Sequence, residues 1–197
     1  MQSLCRLVEP FEGSIVIDDL DVSQICLTTL RSNITIIPQD PIIFSGSIRF
    51  NVDPLDMCTD KQIWNAFRAA AGFDEFVSTL PEELEFIVTE SGSNLSMGQK
   101  QLICLVRALL RKTKIVILDE ATAYLDVDTD DLVQKTIHKE CKDSTVITIA
   151  HRLNTVLSSD RIVVLDNGRV VEFDSPKNLL SRKSGTFYSM AVTAGII

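Results

Sequence analysis

The sequence lacks an apolar run long enough to cross a membrane. Its longest candidates, Lys114–Leu118 and Arg161–Leu165, have the length of a strand and are bounded by charge, whereas a membrane-spanning helix needs about 20 apolar residues. The first residues also lack the apolar stretch of a signal peptide. We therefore expect that these 197 residues neither span nor enter a membrane by themselves.

The sequence is also short of basic residues and of cysteine motifs. Lys and Arg number 19 against 27 Asp and Glu, a formal charge of −8, which argues against non-specific binding of nucleic acid. The five cysteines are scattered and contain no C-x-x-C pair, so we expect reduced, buried thiols. With 45% apolar and 23% charged residues, the composition is that of a globular chain and excludes a disordered one.

Glycine is sparse, and one glycine motif is absent. A phosphate-cradling loop of the pattern G-x-x-x-x-G-K-[ST] needs two glycines five positions apart. No pair among the eight glycines has that spacing. These 197 residues therefore do not supply the nest of backbone N–H groups, or the lysine, of such a loop.

The residues that are present predict an α/β fold. Asn33–Ile37, Ile115–Leu118 and Thr145–Ala150 are short apolar runs rich in β-branched residues, which predict strands. The last two are typical of strands buried on both faces of a parallel sheet. A helix from about Asp128 to Lys139 separates them, and this order favours a right-handed crossover. Chemistry is then expected at the carboxyl ends of the strands.

The pattern also predicts further helices and a hairpin. Thr59–Leu80 is helical in pattern and could form a helical subdomain, Ser96 opens a second helix, and Asp166-Asn167-Gly168 predicts a hairpin turn. We expect the Met, Trp and Phe residues to belong to the core. The apolar side chains assigned to the buried faces of the helices are Ile63, Trp64, Phe67, Ala71, Leu102, Ile103, Val106, Leu109, Leu110, Leu132, Val133 and Ile137.

Polar side chains that could bind a metal ion, a water or a phosphate follow three of the predicted strands. Asp119 and Glu120 come directly after Ile115–Leu118, where one carboxylate could hold Mg²⁺ and the other could polarise a water. The alternative is a strand that runs into an acidic loop. His151 could bond a terminal phosphate or simply cap the segment that follows it. Gln39 could ligate Mg²⁺ or orient a water, or it could be an ordinary turn residue.

The segment before the second helix is a candidate anion site. Ser96 is a good N-cap residue, and Gly98 allows a ligand to approach the backbone closely. A helix N-terminus with free N–H groups favours an anion. The alternative is an ordinary cap without a ligand.

Taken together, these residues resemble the nucleotide-binding domain of an ABC transporter. The order and spacing of the motifs match as well. The matches are Gln39 with the Q-loop glutamine, Leu95-Ser96-Met97-Gly98-Gln99 with the signature, Ile115–Asp119 with Walker B, Glu120 with the catalytic glutamate, Leu125-Asp126 with the D-loop and His151 with the switch histidine.

Longer stretches resemble the second such domain of subfamily C, the multidrug-resistance-associated exporters. They are Ile36–Pro41, Phe44-Ser45-Gly46, Asn51–Pro54 and Thr148–Thr155. Glu120 favours the second domain, because the first often carries Asp at that position. The chain departs from the family at Met97, usually glycine, and at Tyr124, usually a small residue.

The resemblance implies an N-terminally truncated domain over residues 1–197, because the family's Walker A motif would lie before Met1. Its fold would be that of a P-loop-type ABC ATPase, with a mostly parallel sheet and a helical signature subdomain at about 55–112. The stretch between Gln39 and Ser96 has no sustained heptads. This excludes the DNA-repair type of ABC ATPase, so no nucleic-acid partner is expected.

In the family, two such domains sandwich ATP head to tail and drive transmembrane domains from the cytoplasmic face of a membrane. The resemblance implies that Asp119 and Gln39 hold Mg²⁺, and that Glu120 and His151 are catalytic. By the same resemblance, the residues that bind nucleotide are Gln39, Ser96, Gly98, Gln99 and Asp126, and three of them, Ser96, Gly98 and Gln99, would contact the nucleotide of the opposite site. The alternative is a catalytically dead or regulatory fragment that pairs with another ABC domain without hydrolysing ATP.

Overall fold

The computed structural model describes residues 2–70, 72–121, 125, 127–150 and 153–197, with the backbone alone at 127 and 128. This part of the chain forms two compact units, Met1–Ile147 and Thr148–Ile197. The predicted division of the chain, one domain over 1–197 with a helical subdomain at about 55–112, stays a prediction.

The first unit begins with a small hairpin, which is followed by helices and short strands. Its elements in chain order are β1 (Val16–Ile17), β2 (Leu20–Asp21), α1 (Leu27–Ser32), β3 (Ile34–Ile37), β4 (Gly46–Ser47), α2 (Ile48–Val52), α3 (Asp60–Ala69), α4 (Phe73–Ser78), β5 (Ile87–Val88), α5 (Met97–Arg111), β6 (Ile115–Asp119), α6 (Val127–Glu140) and β7 (Thr145–Ile149). Strand β7 crosses the boundary between the units.

The second unit is built on the predicted hairpin. Its elements are α7 (Leu153–Val156), β8 (Ile162–Asp166), β9 (Arg169–Asp174), α8 (Pro176–Ser181) and α9 (Thr186–Thr193). Strands β8 and β9 are antiparallel around Asn167 and Gly168, both with positive φ, as a two-residue hairpin turn requires. Ile162, Val164, Leu179 and Phe187 form its core.

The central sheet has the strand order β3-β6-β7. Strands β3 and β6 are parallel, in register from Ile34 opposite Ile115 to Ile37 opposite Leu118. Because side chains alternate along a strand, the two strands present two apolar faces. Ile37 and Leu118 enter the larger core, which α2 to α6 help to form. Ile34 and Ile117 enter a second core with Cys5, Val22 and Leu30.

The predicted helix over Thr59–Leu80 is interrupted. The structure ends α3 at Ala69 and begins α4 at Phe73. Between them Gly72 has a φ of +68°, a left-handed conformation that glycine adopts readily. The pattern was correct for Ile63 and Phe67, which are fully buried, and Trp64 is half-buried beside them. Ala71 lies outside the described residues.

The expectation that Thr145–Ala150 is buried on both faces is wrong. Val146, Ile147 and Ile149 are each more than one-third exposed, and no described residue of β7 belongs to a core cluster. Position in the sheet does not explain the difference, because β3 is the other outer strand of the described three and its side chains enter two core clusters. What differs is the packing against the faces of β7. An apolar run predicts that a strand forms, but it does not predict what covers the two faces of that strand.

Other burial expectations also need correction. On α6, Val133 and Ile137 are buried as predicted, but Leu132 is 46% exposed because it lies on the outer side of the helix. Cys26 is an exposed thiol rather than a buried one, although all five cysteines are free. Several Met and Phe residues are not in the core: Phe11, Phe44, Phe50, Met57, Met97, Phe173 and Met190 are exposed.

Candidate functional site

The site is built where β3 and β6 end side by side. Ile37 pairs with Leu118 in the parallel register. Gln39 and Glu120 therefore each lie two residues beyond this pair. The Gln39 Nε2 group donates a hydrogen bond of 2.9 Å to Glu120 Oε2. Two residues that sequence reasoning selected separately are therefore in direct contact, as expected for the carboxyl edge of a parallel sheet.

Asp119 and Glu120 adopt different backbone conformations. Asp119 is the last residue of β6, whereas Glu120 has a φ of +48°, in the left-handed region that non-glycine residues rarely adopt. The turn ends the strand and directs Glu120 to the neighbouring Gln39. Both carboxylates are half-buried, and Gln39 is exposed, so the site can be reached by solvent and by a ligand.

The donor set at this edge fits Mg²⁺. Magnesium prefers oxygen ligands and is usually bound by one or two carboxylates together with substrate phosphates. The Asp119 carboxylate and the Gln39 Oε1 atom supply such oxygens. No cluster of three His, Cys, Asp or Glu side chains forms within the described part of the chain, so these residues fit a cation shared with a phosphate ligand rather than a cage made of protein alone.

The second group of predicted residues starts α5. Ser96 is the N-cap, and its hydroxyl accepts a hydrogen bond from the Gln99 N–H at 3.2 Å. Gln99 Oε1 accepts in return from the Ser96 N–H at 2.8 Å. This reciprocal capping box stabilises the helix start, and it also folds the Gln99 side chain back on Ser96. Met97 is 38% exposed beside them.

The helix that follows is long enough to favour an anion at its N-terminus. It continues over 15 residues to Arg111, and aligned peptide dipoles place partial positive charge at its start. The Ser96 hydroxyl forms the cap. Gly98 is half-exposed and has no side chain, so a ligand can approach the backbone closely there. The arrangement can therefore serve as an ordinary cap and as a phosphate contact at once. His151 and Asp126 lie outside the described residues.

Sequence reasoning gave no role near the site to two polar side chains on α5. Gln101 is 2% exposed and donates to the carbonyl of Pro38, the residue before Gln39, at 3.1 Å. Arg107 donates to the carbonyls of Asn51 and Ile42. A signal was available, because a helix stripe at Gln101, Cys104, Leu105 and Ala108 has the spacing of a buried face. The buried face was instead assigned to the larger apolar residues of the neighbouring stripe.

The fold and the site together define a class of protein. A parallel α/β sheet carries two carboxylates and an amide at its carboxyl edge, and a capped helix N-terminus is suited to phosphate. Comparison with known proteins agrees. A family model described as "ABC transporter" matches residues 1–123. The chain belongs to the ABC transporter family.

Individual relatives within the family are similar over almost the whole chain. ATP-binding cassette sub-family C member 2 of Rattus norvegicus is 55% identical over 193 residues, which are 98% of this chain and 12% of that protein. The multidrug resistance protein mrp-7 of Caenorhabditis elegans is 53% identical, again over 98% of this chain and 12% of its own length. The metal resistance protein YCF1 of Saccharomyces cerevisiae is 49% identical, over 99% of this chain and 13% of its own.

A solved structure confirms the fold class. A bacterial Atm1-family ABC exporter with ATP bound superimposes with a TM-score of 0.92 at 34% identity, covering 98% of this chain and 34% of that one. The chain thus spans about an eighth of the length of the curated relatives it matches. Within its described part, no helix combines the length and the apolar character that a bilayer crossing requires.

Proposed function

We propose that the chain is an ATP-binding and ATP-hydrolysing portion of an ABC exporter, acting from the cytoplasmic face of a membrane. The observation that carries this proposal is the contact between Gln39 and Glu120 next to Asp119. Support comes from relatives named as ATP-binding cassette and multidrug resistance proteins and from the similar ABC exporter structure, which has ATP bound.

In this proposal, Asp119 and Gln39 supply oxygens to Mg²⁺, which when bound neutralises phosphate charge and draws electrons from the bond to be broken. Glu120 orients and polarises the attacking water. Its Oε2 already accepts a hydrogen bond from Gln39, which helps to fix the orientation of the carboxylate. Catalysis is then mainly positioning and charge stabilisation. His151 is proposed to contact the terminal phosphate.

The start of α5 is proposed to serve a second nucleotide, held mainly by a partner ABC domain in a head-to-tail sandwich. Ser96, Gly98 and Gln99 would contact the phosphates of that nucleotide, and Asp126 would contribute to the same interface. The physical basis is the unsatisfied N–H groups of a long helix, which favour an anion supplied from elsewhere. Transmembrane domains of the same transporter would use the closure of the sandwich.

A second candidate is a fragment that pairs with another ABC domain without hydrolysing ATP. The observation that favours it is in the sequence: no glycine pair has the spacing of a phosphate-cradling loop. In that case the α5 start would still bind a partner's nucleotide, while the edge at Asp119 and Glu120 would have no turnover of its own.

The deciding experiment substitutes the two neighbouring carboxylates in the intact transporter of which we propose this chain to be part. Glu120→Gln keeps size and shape but removes the charge that polarises water. ATP binding should survive while turnover falls by about 10²–10⁴-fold, the usual contribution of a general base. Asp119→Asn should instead weaken Mg²⁺-dependent ATP binding, because it removes a charge that faces the metal.

The two variants are each other's controls, since both exchange one carboxylate for its amide at adjacent positions. Nucleotide binding is measured by calorimetry with and without Mg²⁺, and turnover by phosphate release. If Glu120→Gln kept turnover within about threefold of the parent, well short of the general-base range, the role of Glu120 would pass to His151.

A further inference from the structure

Helix α5 presents a row of polar side chains to the backbone that carries Gln39. The row is Gln101, Cys104 and Arg107, spaced three apart, which keeps them on neighbouring positions of one side of the helix. Gln101 Nε2 donates to the Pro38 carbonyl at 3.1 Å. The Cys104 thiol lies 3.9 Å from the Ile42 carbonyl, and Arg107 Nη1 donates to the same carbonyl at 3.1 Å.

Arg107 fixes the far end of this backbone. Its Nε donates to the Asn51 carbonyl at 2.8 Å, and its guanidinium lies 5.7 Å from the centre of the Phe44 ring. Asn51, fully buried, bonds both the N–H and the carbonyl of Phe44 at 2.9 Å. Burial lowers the pKa of Arg107, although a guanidinium stays charged in proteins. The segment from Ile42 to Asn51 is thus held to α5 independently of Gln101.

Gln101 differs from an ordinary core residue. It is 2% exposed and lies among the apolar side chains of Ile37, Leu105 and Ala121. Its Nε2 is bonded, but its Oε1 is buried without a hydrogen-bond partner among the residues that the structure describes. A buried acceptor without a partner is destabilising, so an apolar side chain of the same size would serve packing at least as well. The bond to Pro38 is what the amide adds.

We infer that Gln101 is a positioning residue for Gln39, and that it connects the start of α5 to the site at Glu120. The connection runs from Ser96 at the start of α5, along the helix to Gln101, across the bond to Pro38, and through Gln39 to Glu120. Ser96 and Gln101 are about 7.5 Å apart along a rigid helix, so a displacement of the helix start moves Pro38 as well. This inference rests on the proposed roles of Gln39 and Glu120.

The direct test replaces Gln101 with methionine, which has similar length and volume but neither donor nor acceptor. The control is Gln134→Met on α6, a half-buried glutamine whose side chain bonds Asp130 in its own helix. Both variants are made in this chain and in the intact transporter. Backbone order at Gln39, Asp40 and Ile42 is followed by NMR relaxation of their amides in this chain, together with thermal stability and ATP turnover.

We expect Gln101→Met to keep the melting temperature of the parent, because it removes an unpaired buried acceptor along with the bond. The order parameters of Gln39 and Asp40 should fall toward the flexible range, below about 0.6, because the Pro38 carbonyl loses its hydrogen bond. That of Ile42, whose carbonyl is held by Arg107, should stay unchanged. Turnover in the transporter should fall with KM for ATP little changed. Gln134→Met should alter none of these.

Unchanged order parameters at Gln39 and Asp40 in a folded Gln101→Met chain would overturn the inference. If the methionine variant fails to fold, Gln101→Leu, which is shorter, is examined in the same way. Failure of both would show that the amide is required for folding itself, and this would also overturn a positioning role. Lower order parameters with unchanged turnover would support the positioning of Gln39 but contradict its proposed role in hydrolysis.

Discussion

At the scale of single residues, the backbone separates two neighbouring carboxylates. Asp119 completes an extended strand, and a further extended residue would direct its side chain to the opposite face of the sheet. The left-handed turn at Glu120, with φ of +48°, brings its carboxylate to Gln39 instead. Non-glycine residues held in such conformations are strained and often belong to functional sites.

This strain is measurable with two small side chains. Glu120→Ala and Glu120→Gly both remove the carboxylate, but only glycine adopts the left-handed region without penalty. We expect the glycine variant to be the more stable of the two by about 1 kcal/mol in free energy of unfolding, the cost of that conformation for an L-residue. Chemical denaturation measures the difference.

The same pair of substitutions at Asp119 is the control. That residue is extended, where glycine is less stable than alanine by roughly 0.5–1 kcal/mol, so the order should reverse. Equal stability of the two Glu120 variants would mean that the backbone relaxes once the glutamate is removed.

At the scale of elements, α5 depends on its first turn. The capping box between Ser96 and Gln99 satisfies two N–H groups that would otherwise lack a partner. Ser96→Ala removes the hydroxyl and should lower the free energy of unfolding by about 1 kcal/mol. Ser96→Thr retains a hydroxyl and should stay within a few tenths of the parent.

Both Ser96 variants are measured by denaturation without nucleotide, so that any contact with phosphate does not contribute. A Ser96→Ala variant as stable as the parent would show that the interior of α5, rather than its cap, determines the stability of the helix.

The burial of side chains along α5 was predicted only in part. Leu102, Leu109 and Leu110, assigned to the buried face, are only half-buried, whereas Ile103 and Val106 are buried as predicted.

At the scale of the whole molecule, the described chain exposes much apolar side-chain surface. The hairpin of the second unit leaves Val163 51% and Leu165 67% exposed on one side of β8. Exposed strands with apolar side chains are sites of self-association. We expect the chain to associate with increasing concentration, and the double variant Val163→Thr with Leu165→Thr to associate less, as measured by light scattering.

Leu55→Thr is a matched control for this prediction. Leu55 is 77% exposed in the first unit, so the substitution removes exposed apolar surface outside any strand. It should leave self-association as in the parent. An equal decrease in both variants would mean that total apolar exposure matters and that the hairpin has no special part in association.

Nucleotide affinity also belongs to the whole molecule. Because the sequence contains no phosphate-cradling glycine loop, we expect this chain alone to bind Mg-ATP with a dissociation constant weaker than about 1 mM. Calorimetry at high nucleotide concentration measures it. A longer polypeptide that adds such a loop should bind more tightly, and tight binding by the chain alone would remove the support for a non-hydrolysing fragment.

The sequence by itself determined the local features of this protein. Runs of β-branched residues predicted β3, β6 and β7, and Ser96 with Gln99 predicted the start of α5, because periodicity and capping depend on residues close in the chain. The resemblance based on Gln39, the signature and Walker B also led to the correct family, since the motifs depend on order and spacing.

The tertiary structure alone decided which of these features meet. Gln39 and Glu120 are 81 positions apart in sequence and touch only because β3 and β6 pair in one register. The burial of Gln101 and the exposure of β7 depend likewise on what each element lies against. Local patterns carry no information about such neighbours, because burial is set by contacts between distant segments, and a helix or strand keeps the same local geometry whether or not it is covered.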